Sequence, residues 1–194
     1  NYVLPPGITR ITDPSQSQLV EANEQSMCMV ARNLSGNEAK AVYKNCNYDM
    51  RQYKHLQMYV HANALAENVT MTTDGECSVF IRLGSDYKSN YYEYEVPLKL
   101  TPAGNYDTYN AQDCRTVWPV ENMVDINFDL FTSLKKQRNS QASIGVAAMN
   151  RLFSAYDENN PNNRISIMGN PTLVEVKTIM IGIRNNSGKT KSIE

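Results

Sequence analysis

The sequence has no apolar run approaching the roughly 20 residues that a membrane-spanning helix needs, which argues against a helical membrane protein. It also has no excess of charge of either sign: Lys and Arg number 19 against 20 acidic residues. There is thus no broad positive field to collect phosphates, and nucleic acid is not an expected partner. The chain opens on Asn1 with neither a start methionine nor a basic-then-apolar leader, and reads as an excised soluble segment.

Catalytic signatures are equally scarce. Serine-hydrolase, zinc-protease and dinucleotide patterns of the GxSxG, HExxH and GxGxxG kinds do not occur. There are only two histidines, His55 and His61, and in a straight strand they would stand about 20 Å apart, too far to share a metal. They read as a solvent-facing pair. Gly188-Lys189-Thr190 imitates the end of a phosphate-binding loop, but Gly182 lies one residue too far upstream and only four residues follow, too few for the required helix. The expectation for 187–194 is a frayed, basic tail.

The four cysteines, Cys28, Cys46, Cys77 and Cys114, match neither a zinc spacing nor a CxxC pair. They read as small buried thiols, with up to two disulfides open to them in an oxidising compartment. No cofactor is implied. A structural calcium at turn carboxylates is compatible with the composition, although no pattern selects it.

What the sequence does have is period-2 alternation. Leu56, Met58, Val60 and Ala62 alternate with polar neighbours over 55–62. Val79, Ile81 and Leu83 share one parity in 78–84, as do Tyr92, Tyr94, Val96 and Leu98 in 91–98. Turn-forming clusters at 33–37, 72–75, 84–90, 102–105 and 159–163 separate these runs. Short strands so punctuated predict an all-β sandwich or barrel. Pro97 marks an edge or a strand end, because it cannot donate to a ladder. Val174 and Val176 have the opposite parity to Ile179, Ile181 and Ile183, so a bulge or break is expected near Lys177 and Thr178, before a core strand over 178–184.

Helical spacing is confined to two stretches. Leu130, Phe131 and Leu134 predict a short helix over 129–138, capped by Asp129, with Lys135, Lys136 and Arg138 at its negative end. Residues 142–156 admit a helix or an ordered loop. The proline-bearing start reads as an extended arm or linker over 1–18, followed by a sandwich domain over 19–186.

Carboxylates at Glu93, Glu95, Asp86, Asp74 and Glu76 offer pairs of the glycosidase kind, but alternate charged strand positions ordinarily form a solvated face. The most suggestive cluster is aromatic and amide-rich. Tyr87, Asn90, Tyr91 and Trp118 are the candidate contacts for a glycan or a protein partner.

Several stretches resemble one family: Asn1-Tyr-Val-Leu-Pro-Pro-Gly-Ile-Thr-Arg10, Asp49-Met-Arg-Gln-Tyr-Lys54, Phe80-Ile-Arg-Leu-Gly-Ser-Asp-Tyr87 with Asn90-Tyr-Tyr-Glu-Tyr-Glu95, Trp118-Pro-Val-Glu-Asn-Met123, and Gly169-Asn-Pro171 with Ile179-Met-Ile-Gly-Ile-Arg-Asn185. They are similar to the SprA/Sov outer-membrane proteins of the type IX secretion system, the gliding-motility cell-surface family. The resemblance implies a soluble, non-catalytic domain of a cell outer membrane translocon. Its implied partners are the rest of the parent barrel protein, other secretion-system components and secreted cargo. The same stretches resemble, more loosely, galactose-binding-like and carbohydrate-binding jelly rolls, which implies a jelly-roll sandwich with one or two short helices and leaves a glycan-binding module as the alternative.

Overall fold

The computed structural model describes residues 3–10, 26–65 and 72–194. In chain order the elements are β1 (Ala31–Leu34), β2 (Ala39–Tyr48), β3 (His55–Met58), β4 (Cys77–Gly84), β5 (Tyr91–Pro97), α1 (Ala111–Val117), β6 (Val124–Asn127), α2 (Phe128–Ser143), β7 (Phe153–Tyr156), β8 (Arg164–Met168), β9 (Val176–Asn185) and β10 (Lys191–Ile193). The expected all-β sandwich with short helices is what forms.

Six strands make one antiparallel sheet in the order β2-β9-β4-β5-β8-β7. Its inner face carries Val79, Ile81 and Leu83 opposite Val96, Tyr94 and Tyr92, and Ile181 and Ile183 on β9 continue the row. Against that face stand the β3–β6 pair, the β1–β10 pair and α2, all sharing one hydrophobic core. Each large apolar side chain buried there contributes on the order of 1.5–3 kcal/mol of transfer free energy. The Phe131 ring of α2 stacks on Tyr92 at 4.8 Å, joining the helix to the sheet.

The alternating strands fall where their parity puts them. β9 begins at Val176 and ends at Asn185, longer at both ends than the expected 178–184. The irregularity expected near Thr178 is present as a register shift between Asn45 and Tyr48, where three steps of β2 face the two from Thr178 to Val176. The extra residue therefore belongs to β2. Pro97 does close its strand, at the end of β5 opposite Ser78.

Three expectations are corrected. First, α2 starts earlier and runs five residues further than predicted. Its cap is Asn127, which accepts a hydrogen bond from the Asp129 N–H at 2.9 Å. Lys135 and Arg138 consequently lie inside the helix and donate to Pro171 O and Gly169 O instead of meeting the helix end. Beyond Ser143 the chain turns through Gly145, at φ +76°, and the apolar spacing of 144–156 is not helical.

Second, the C-terminal stretch is not wholly a frayed tail. Lys191, Ser192 and Ile193 are buried as β10, paired to β1, because Ile193 completes the core and Lys191 meets Glu76 at 2.6 Å. Third, the histidines do not form a solvent-facing pair. His55 is exposed against Asp125, whereas His61 lies beyond the end of β3 and is half-buried.

Of the predicted arm, residues 1, 2 and 11–18 lie outside the described residues. The described part docks. Val3 packs with Cys114 and Val117, Leu4 N donates to Thr108 Oγ1 at 3.1 Å, and Pro6 O accepts from Tyr59 at 2.9 Å.

Candidate functional site

The outer face of the large sheet is polar where the inner one is apolar. Pairing brings Arg82 directly opposite Glu93 and Arg164 opposite Glu95, while Arg184 of β9 lies opposite Ser78 of β4. Arg82 Nε donates to Glu93 at 2.6 Å, and Arg184 Nη2 donates to both Glu93 oxygens at 3.1 Å. Glu95 accepts from Arg164, Arg184 and Ser78. The two carboxylates are only 1% and 4% exposed. The expectation of a solvated carboxylate face is thus overturned, because arginines from the neighbouring strands pair with both carboxylates.

Aromatic rings are the floor of this lattice. The Arg82 guanidinium stands 4.2 Å from the Tyr91 ring centre and that of Arg184 stands 4.7 Å from Phe80. Burial alone would push Glu95 upward, but the Ser78 hydroxyl and the two arginine charges hold it below the usual carboxylate range. A carboxylate so held stays anionic at neutral pH and is poorly suited to donate a proton.

At one end of this face the β4–β5 turn is tied by Asp86. Its Oδ1 accepts from the N–H groups of Lys88 at 2.8 Å, Ser89 at 2.5 Å and Asn90 at 3.2 Å. Asn90 in turn donates to Asp86 Oδ2 and accepts from Asn170 N, both at 2.9 Å. Tyr87 lies against Tyr43 of β2 with ring centres 4.6 Å apart.

On the other side of the sheet is a cavity of about 1070 Å³, with Met29, Tyr59, Val60, His61, Trp118 and Ile181 in its wall. Trp118 meets Tyr59 and His61 edge-on, at 6.3 and 6.0 Å, and its Nε1 donates to Val3 O at 2.9 Å. Among the described residues, His61 Nδ1 is buried without a hydrogen-bond partner, and burial pushes the imidazole below its ordinary pKa. All four cysteines are free thiols, and burial raises that of Cys77 to about 11.

The four residues singled out from the sequence therefore divide. Tyr87, Asn90 and Tyr91 gather at the β4–β5 end and outer face, where turn bonds and ring contacts engage them, while Trp118 belongs to the cavity wall. Sequence reasoning missed Arg82, Arg164 and Arg184. Their signal was opposite charge at matching parity, Arg82 with Glu93 and Arg164 with Glu95, which becomes readable only once the strands are paired.

The family model SprA_N, described as motility related/secretion protein, matches residues 1–194. The chain belongs to the SprA/Sov family. No curated protein matches it. Several of the stretches that resemble this family sit at joints of the fold. Gly169 O accepts from Arg138, Asn170 N donates to Asn90, and Pro171 O accepts from Tyr92 at 3.2 Å and Lys135 at 2.7 Å. Gly169 itself, at φ +64°, leaves no room for a side chain, since a Cβ there would stand 1.9 Å from Ser89 O. Asn122 of the Trp118–Met123 stretch is fully buried and bonds both Lys99 N and Lys99 O. Asn185, closing the β9 stretch, donates to Leu34 O, Ser35 O and Lys189 O.

Proposed function

We propose that this chain is a non-catalytic structural and interaction domain of a type IX secretion, gliding-motility translocon protein of the outer membrane, supporting protein export through contacts with the rest of that protein, its secretion partners or its cargo. The family match over residues 1–194 carries the reading. Two features of the fold support it. Several of the residues that resemble the family bind backbone and fill joints, and the buried carboxylates Glu93 and Glu95 are engaged by arginines. Deleting the domain from its parent, with assembly of the parent verified by heat-modifiable migration, should reduce cargo export or partner co-purification. Unchanged export and association would overturn the reading.

A glycan-binding module is the second reading, favoured by one feature: Trp118 and Tyr59 line the same cavity. Calorimetric binding to a surface polysaccharide that disappears in Trp118→Ala supports it, and silence across a broad glycan panel removes it.

A further inference from the structure

The large sheet ends in two unlike edges. β7 is four residues long, which is one ordinary way to keep an edge from pairing with foreign strands. β2 is ten residues long, pairs among the described residues on one side only, with β9, and nine of its ten residues are exposed. It contains no proline, and its single irregularity lies at the far end, between Asn45 and Tyr48. From Ala39 to Asn45 the free side is a regular run of backbone donors and acceptors.

The side chains on this run have a pattern. Lys40, Val42 and Lys44 lie directly opposite Ile183, Ile181 and Ile179, so they share the inner face of the sheet, and Ile181 and Ile183 also line the cavity. Val42 is 50% exposed. Neither lysine forms an ion pair among the described residues. An added strand would place its residues directly against these three positions. We propose that β2 accepts an extended strand from another polypeptide, one reading acidic, apolar, acidic at alternate positions opposite Lys40, Val42 and Lys44.

Backbone pairing supplies affinity and the alternate side chains supply selectivity in this mode of recognition. A second copy of this chain is a poorer occupant. Antiparallel pairing of two copies about Val42 sets Lys40 against Lys44 twice, and like charges directly opposite are destabilising. The inference gives the interaction role proposed above a specific surface and rests on that reading. Its test is made on the isolated 194-residue chain, so its failure is separable from the result of the deletion.

The probe is a fluorescent peptide of threonine alternating with glutamate, valine and glutamate, followed by anisotropy, with an N-methylated copy and a lysine-for-glutamate copy as controls. The acidic peptide is expected to bind and to slow amide exchange within 39–45. Lys40→Glu with Lys44→Glu should weaken it roughly tenfold or more and should favour the lysine peptide. These substitutions are on exposed positions, and an unchanged thermal midpoint verifies that the variant is folded. No binding, or equal binding of the N-methylated peptide, overturns the proposal. So does a dimer that tightens on Lys44→Glu, where each new glutamate would face Lys40 of the other copy, and that excludes the peptide, which identifies a second copy as the occupant.

Discussion

The Phe80 ring occupies the space above Gly182: a Cβ built on the glycine would stand 2.4 Å from the Phe80 ring and 2.6 Å from Ala41 Cβ. Gly182 is opposite both residues, so three strands meet at one point with room for a single ring. The expected result of Gly182→Ala is a loss of about 1–3 kcal/mol in denaturant unfolding, the usual range for overpacking. Pairing it with Phe80→Leu should return part of that loss. An additive double variant would show that the two residues do not compete for this space.

Removing Arg184 leaves Glu93 and Glu95 short of a shared donor in a place where water is scarce. Arg184→Met should therefore cost about 3–5 kcal/mol, the range for breaking a buried pair from one side. Arg51, which pairs with Asp49 at 2.6 Å on the surface, provides the contrast: Arg51→Ala should leave the unfolding midpoint unchanged. Equal effects of the two substitutions would contradict the buried lattice.

Acid should loosen the attachment of β10. Glu76 accepts from Lys191 at 2.6 Å and from Thr73 N at 2.7 Å, and the lysine above all holds its carboxyl at about 2. A carboxyl depressed in the folded state stabilises fully above its unfolded value of 4.5, and the contribution fades as pH falls toward about 2. The thermal midpoint of the wild type should fall across that window. In Glu76→Gln combined with Lys191→Met the fall should be smaller; an identical slope would remove the pair from the account.

Trp118 is the only tryptophan, so its emission reports on the docked arm. Deleting residues 1–6 takes away the Val3 carbonyl that its indole bonds and the Val3 side chain packed beside Val117. A red-shifted emission maximum is expected, with the unfolding midpoint of the sheet little changed. An emission maximum that does not move would mean that the arm does not shield the indole in solution.

Much of the fold was legible because period 2 reports directly on which side chains share a face. Val79, Ile81, Leu83, Tyr92 and Tyr94 were assigned to the core by parity alone, and there they are. Glu93 and Glu95 misled because the same rule presumes that the second face meets water. Three arginines drawn from β4, β8 and β9 cover it instead, and no local pattern announces a partner on another strand. Lys191 misled for a related reason: a lysine near a chain end ordinarily reads as solvated, and its burial depends on Glu76, far away in sequence. The proposed strand edge was hidden because an edge is a property of strand order, which pairing decides.

The place of β9 in the chain has a temporal consequence. Ala39 pairs with Arg184 and Gly84 with Thr178, so β2 waits for a neighbour made much later in the chain. A chain delivered amino end first, from a ribosome or across a membrane, holds β2 open on both sides until residue 185 has emerged. Sheets built from such distant segments close slowly, because loop entropy is lost before any pairing repays it. During that interval a holding chaperone has a ready substrate, and a truncation before residue 176 removes the strand that joins β2 to β4.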